Sequence, residues 1–183
     1  MILCLPLLMF QGRAQEAIDL YLDTFPDAEL LEVMHHPEGT KILDSTGQAP
    51  AAADEQSDDT AAMETVVDWE TTLVATAQLK IGGQVLMIQD SLVRQDFDFT
   101  PSISVAVVVD TAEEFSRITQ RLSTGGVFLM EPGQYDFAAN FAWVKDRFGV
   151  TWQVNQPRAS GADGDQTEAA QAETAQAQAP DWS

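Results

Sequence analysis

With 183 residues, 45% of them hydrophobic, the chain suffices for one ordinary domain or two small fused modules of globular composition. Its formal net charge of -20 makes nucleic acid and anionic membranes poor partners. A single cysteine, Cys4, excludes an intrachain disulfide and fits a cytoplasmic protein.

The opening "MILCLPLLMF" has the apolar run of a signal peptide but no basic residue before it and no small-residue cleavage site after it. It is also far too short to span a bilayer. It reads as a buried first strand, Ile2–Phe10. A helix follows over Arg13–Phe25, where Ala14, Ala17, Ile18, Tyr21 and Phe25 recur at helical spacing. Pro26 stops it, and Ala28–His35 reads as a strand. Residues 38–70 are alanine-rich and acidic with no apolar stripe, and read as a flexible surface insertion rather than a lid. Leu73–Ile81 and Gln84–Gln89 are two strands joined at Gly82-Gly83, a two-residue hairpin turn. A linker, Asp90–Pro101, comes next.

The layout then repeats. "SISVAVVVD" reads as a strand. Thr111, with Glu114 three residues on, forms a capping box for a helix whose apolar face is Phe115, Ile118 and Leu122. Gly125-Gly126 ends that helix. "VFLM" is a strand, a polar loop follows, and "FAWVKD" and "VTWQVN" form a hairpin over "RFG". Each half thus reads strand–helix–strand–strand–strand. Such duplication suggests a curved sheet around a central cavity. Residues 157–183 contain no core-forming run and read as a disordered acidic tail. More than half the net charge lies in residues 36–70 and 156–183, so the acidity belongs to solvated segments rather than to an active site.

In the closing strand Val150, Trp152 and Val154 point one way, and Thr151, Gln153 and Asn155 the other. The bulky set suits a core. The polar set either lines a cavity or, for Gln153, bonds neighbouring backbone.

"AQEAIDLYLDTFPDAELLEV" and, far downstream, "WVKDRFGVTWQV" resemble the PhnB-like branch of the glyoxalase / bleomycin resistance / vicinal oxygen chelate superfamily. The resemblance covers about residues 3–155 apart from the insertion. It implies an α+β, glyoxalase-like fold: two βαβββ modules, about 1–90 and 101–156, forming a curved mixed sheet around a cavity in a domain of residues 1–156. It also implies a homodimer. Metal-using members of the superfamily place four ligands on four strands, and the matching positions here are Pro6, Gln89 or Asp90, Ser104 and Gln153. Proline has no donor and serine is a poor ligand for a divalent transition metal. The resemblance therefore implies a pocket without a catalytic metal and no cofactor. Its expected lining is Pro6, Leu8, Phe10, Gln89, Ser102, Ser104, Thr151, Gln153 and Asn155, a mixed polar and apolar set suited to a small organic molecule.

The remaining candidates have bland readings. His35 and His36 are adjacent on a strand and point apart, so they chelate one metal poorly. Cys4 reads as strand filler. Asp54, Glu55, Asp58 and Asp59 lack the glycine and closing glutamate of a calcium loop. Trp69, Trp143 and Trp152 can stack on a planar ligand, but the last two suit core or dimer packing, and Asp146 with Arg147 suggests a structural ion pair in the closing turn. Neither glycine pair joins a strand to a following helix, as a nucleotide-type cofactor site for methyl transfer requires. The expected protein is a homodimer that binds a small molecule. Two alternatives stay open. One is a metal-dependent lyase, isomerase or dioxygenase with a displaced site that uses His35 or His36, Asp90 and a further acid. The other is a structural or partner-binding protein that uses its acidic insertion.

Overall fold

The computed structural model describes residues 2–44 and 72–158. The acidic insertion beyond residue 44, with Trp69, and the tail beyond residue 158 lie outside the described residues, and so do the expectations about their mobility.

Two modules of one layout follow each other. The first runs β1 (Leu7–Phe10), α1 (Ala14–Thr24), β2 (Glu29–His35), β3 (Val74–Ile81) and β4 (Gln84–Asp90). The second runs β5 (Val105–Val108), α2 (Ala112–Ser123), β6 (Val127–Tyr135), β7 (Ala138–Lys145) and β8 (Thr151–Gln156). The strands form two four-stranded sheets ordered β1-β4-β3-β2 and β5-β8-β7-β6. In each, the first strand lies parallel to the last, and the other pairs are antiparallel. This is the expected α+β fold of two βαβββ modules.

The modules share one core. From α1, Ala14, Ala17, Ile18 and Tyr21 are fully buried, and from α2, Phe115, Ile118 and Leu122 are buried. The helices touch each other. The Trp152 ring of β8 lies 4.9 Å from Tyr21 and 5.1 Å from Phe25. Burying rings of this size contributes strongly to joining the two halves. The capping box at the start of α2 forms as the sequence predicts: the Glu114 N–H donates to Thr111 Oγ1 at 3.1 Å, and the Glu114 carboxylate accepts from the Thr111 N–H. Gly149, at φ 94°, makes the tight turn before β8.

Three elements differ from the sequence reading. Ile2–Pro6 is not strand, and Ile2 and Leu3 are exposed. Only Leu7–Phe10 has a partner, Met87–Asp90 of β4, so pairing starts at Pro6, whose carbonyl accepts from the Met87 N–H. Cys4 is correspondingly exposed rather than buried. Strand β5 is shorter than "SISVAVVVD" because only Val105–Val108 faces β8. Strand β6 is longer than expected and runs through Pro132 and Gly133. It is an edge strand with register shifts around Gly133, where a proline without an N–H is tolerated. No helix among the described residues is long and apolar enough to cross a membrane.

Candidate functional site

The helices pack on one face of each sheet, and the opposite, outer face is partly covered, with Thr151 and Phe141 buried and Trp143, Gln153 and Asn155 half-buried. On the second sheet Trp152 and Val154 join the core, so alternation places Thr151, Gln153 and Asn155 of β8 on the outer face. The register fixes their neighbours. Gln153 lies between Ala106 of β5 and Trp143 of β7, Asn155 between Val108 and Phe141, and Thr151 beside Lys145. Ser104, just before β5, completes this surface. Its hydroxyl accepts from Trp143 Nε1 at 3.1 Å and bonds Thr151 Oγ1 at 2.9 Å. Thr151 Oγ1 donates in turn to the Ile103 carbonyl at 2.8 Å. The Trp143 indole therefore reaches across β8, next to Gln153.

These polar groups fall into two sets. The Ser104 and Thr151 hydroxyls are engaged with each other and their surroundings. The Gln153 amide makes no hydrogen bond among the described residues, and Asn155 Oδ1 is buried without a partner. An unpaired buried carbonyl oxygen costs about 1–3 kcal/mol, and the fully covered Asn155 Oδ1 is not itself a ligand contact. The surface offers the Gln153 amide as donor and acceptor beside the Trp143 indole, with the small Ala106 on its other side, while the Phe141 ring is buried against Tyr135 and Phe137.

The first sheet is placed differently from the sequence reading. Leu8 and Phe10 turn to the helix side and are buried in the core, so Leu7 and Met9 take the outer face. A one-residue difference in strand phase exchanges the faces completely. Pro6 precedes the strand and is exposed. Gln89 lies beside Met9 on the outer face. Ser102 is exposed and bonds Thr100 Oγ1 at 2.6 Å. Of the expected lining, Ser104, Thr151, Gln153 and Asn155 are brought together on one surface, and Gln89 is on the other sheet. Sequence reasoning weighed Trp143 for stacking but assigned it to core or dimer packing, and it missed Leu7 and Met9 as outer-face residues. The hairpin over "RFG" held the signal for Trp143, since its register sets Trp143 opposite Gln153.

The donors a metal would need are committed elsewhere. Asp90 is buried, with Oδ1 accepting from the N–H groups of Gly12 at 2.8 Å and Ala14 at 3.1 Å and Oδ2 from that of Val74 at 2.9 Å. His35 Nε2 meets Gln15 Oε1 at 2.9 Å. Among the described residues no three His, Cys, Asp or Glu side chains are grouped to hold an ion. Pro6, Ser104 and Gln153, the positions matched to metal ligands in the sequence, do not supply the donors a divalent transition metal needs.

Asp146 is not the ion pair expected in the closing turn. Its Oδ2 accepts from Tyr21 Oη at 2.8 Å and Trp152 Nε1 at 2.9 Å, and its Oδ1 from the N–H groups of Phe148 and Val150 at 2.9 and 3.1 Å. Burial pushes its carboxyl above the ordinary carboxylate range, against the lowering effect of these donors. Burial, with the adjacent Asp146 charge, holds the Tyr21 hydroxyl well above an ordinary tyrosine.

Two βαβββ modules, each with helix packed on one face of its sheet, define a glyoxalase-like fold. A solved glyoxylase/bleomycin resistance protein/dioxygenase domain from Frankia sp. EAN1pec has the same fold, with TM-score 0.55 over 87% of this chain and 94% of that one, at 9% identity. Residues 51–155 match the family described as 3-demethylubiquinone-9 3-methyltransferase, and the chain belongs to this PhnB-like family. The solved PhnB protein of Bacillus cereus is 28% identical, with TM-score 0.65 over 84% of this chain and 98% of that one. Protein YjdN of Escherichia coli strain K12 is 28% identical over 152 residues, covering 82% of this chain and 92% of that protein. As for the methyl transfer in the family's description, Gly82-Gly83 joins β3 to β4 and Gly125-Gly126 follows α2, so neither pair opens a helix.

Proposed function

We propose that the chain is a homodimeric protein that binds a small organic molecule on the outer face of its second sheet, with neutral hydrogen-bonding groups in place of a metal. The observation that carries this reading is the Gln153 amide on β8, without a hydrogen bond among the described residues and set between Trp143 and Ala106. A neutral amide beside an aromatic ring favours a ligand with both a planar apolar part and polar groups. The dimer rests on the exposed apolar residues of the second sheet: Val108 is 65% exposed and Val127 51%. A second copy laid over these residues buries them and encloses the ligand surface.

Gln153→Leu keeps approximate volume and leaves the facing ligand group unpaired. It is expected to weaken binding of a hit from a small-molecule screen by roughly 5- to 150-fold, the equivalent of about 1–3 kcal/mol. Because the amide makes no hydrogen bond among the described residues, the melting temperature should stay within a degree or two of the parent. Lost stability with unchanged affinity would remove Gln153 from the site. Light scattering is expected to give twice the mass of one 20.0 kDa chain at micromolar concentration. A monomer across ordinary salt concentrations would contradict the dimer.

A further inference from the structure

A cleft of about 610 Å³ lies where the end of β1, the start of α1 and the linker of residues 91–104 meet the β7–β8 turn. It is separate from the Gln153 surface. Its walls include the rings of Phe10, Phe99 and Phe148; Phe10 lies 5.2 Å from Phe99 and 6.1 Å from Phe148. Phe97, 62% exposed, adds a fourth ring.

The linker wall is fixed in place. Gln11 Oε1 accepts from the Gln95 N–H at 3.0 Å, Ser91 Oγ donates to the Val93 carbonyl at 2.6 Å, and the Arg94 N–H donates to the Leu43 carbonyl at 2.7 Å. The Gln95 side chain donates back to the Val93 carbonyl at 3.2 Å. The neutral polar groups of the cleft are therefore spent on holding its shape. Arg13 is occupied as well: it pairs with Glu16 at 2.9 Å, with its guanidinium carbon 4.5 Å from the centre of the Phe148 ring.

Three lining charges are left over. The Arg94 guanidinium and the Asp96 and Asp98 carboxylates make no hydrogen bond or ion pair among the described residues. A bare anion meets Arg94 together with two repelling carboxylates, and a bare cation meets the reverse. A molecule with an anionic group, an ammonium and a flat apolar body satisfies all three charges and the rings at once. We infer that this cleft binds a small zwitterion with a planar apolar side group, the chemistry of an aromatic amino acid, with Arg94 on its carboxylate and Asp96 and Asp98 on its ammonium.

Titration calorimetry with L-phenylalanine, phenethylamine and phenylpropionate tests this directly. Phenylalanine is expected to bind about tenfold tighter than either analogue, as the loss of one charge-assisted contact implies. Arg94→Ala should weaken phenylalanine about tenfold and leave phenethylamine unchanged, while Asp96→Asn with Asp98→Asn should weaken phenylalanine and spare phenylpropionate. All three side chains are exposed and make no hydrogen bond or ion pair among the described residues, so melting temperatures should not move. Gln153→Leu should leave phenylalanine binding intact. Absence of phenylalanine binding at millimolar concentration overturns the inference. Equal affinity for all three compounds does so too, as does a loss in Gln153→Leu without one in Arg94→Ala.

Discussion

Asp146→Ala is expected to destabilise the fold by about 3–5 kcal/mol, the usual penalty for stripping the partner from a buried charge-assisted cluster. Four donors converge on this carboxylate from three places: the Tyr21 hydroxyl on α1, the Trp152 indole on β8 and two N–H groups of the β7–β8 turn. Tyr21 and Trp152 are fully buried, so water does not replace the lost acceptor. Asp146→Asn should cost nearly as much. Its single oxygen serves either the two backbone N–H groups or the two side chains. In either orientation its NH2 faces a donor-only group, the Trp152 indole or the turn amides. Urea unfolding of both variants measures this, and a loss below about 1 kcal/mol in each would show the cluster to be dispensable.

The pH dependence of this cluster has one sign. The folded Asp146 carboxyl sits above its unfolded value and so holds its proton more tightly in the native state. Its contribution to stability is therefore greatest below the ordinary carboxylate pKa and declines as pH rises through the folded one. The raised Tyr21 hydroxyl acts in the same direction at the alkaline end. The unfolded chain releases that proton near the ordinary tyrosine value of about 10 while the native state retains it, so stability drops further above that pH. Comparing denaturation midpoints of the parent and a Tyr21→Phe variant from pH 8 to about 11 isolates this term. The parent should lose more than the variant over that interval.

Much of this architecture was legible from local pattern. The capping box at Thr111 and Glu114, the turn at Gly82-Gly83, and the alternation of Val150, Trp152 and Val154 each depend on residues a few positions apart, and each is found in the structure. What was not legible depends on distant partners. The run Ile2–Phe10 is apolar throughout, so it has no alternation from which to read a face. Only pairing with Met87–Asp90 decides that Leu8 and Phe10 go inward. Strand β6 is hidden by Pro132 and Gly133, local signals for a loop that an edge strand overrides. Asp146 looked like a turn acid paired with its neighbour Arg147, because its real partner, Tyr21, is 125 residues away in sequence. Val74 and Ala77 both reach the core although their spacing of three breaks the period of a strand, and the β2–β3 ladder is irregular between Met34 and His35. On the candidate surface, alternation was enough to group Thr151, Gln153 and Asn155. It could not reveal that Ser104 and Thr151 are already bonded and Gln153 is not.

Asp90→Ala is expected to cost about 3–5 kcal/mol by leaving three buried backbone N–H groups without an acceptor. The carboxylate closes the first module: it lies at the end of β4 and binds Gly12 and Ala14 at the entry to α1, and Val74 at the start of β3. The side chain before the helix, Arg13, makes no capping bond, so Asp90 supplies from a distance the acceptor that a local cap residue normally provides. Its negative charge also lies at the positive end of the helix. Asp90→Asn separates these contributions. The amide oxygen can keep both bonds at the helix entry, its NH2 then faces only the Val74 N–H, and the expected loss falls to about 1–3 kcal/mol. The asymmetry between the two sites is itself informative: asparagine should rescue a substantial part of the alanine loss at position 90 and almost none at position 146. Amide exchange localises the effect, with Gly12, Ala14 and Val74 opening first in Asp90→Ala. Were Asp90 instead a metal ligand in a displaced active site, Asp90→Ala would leave stability and these amides unchanged and abolish retention of the ion, an outcome that would overturn the structural role argued for this residue.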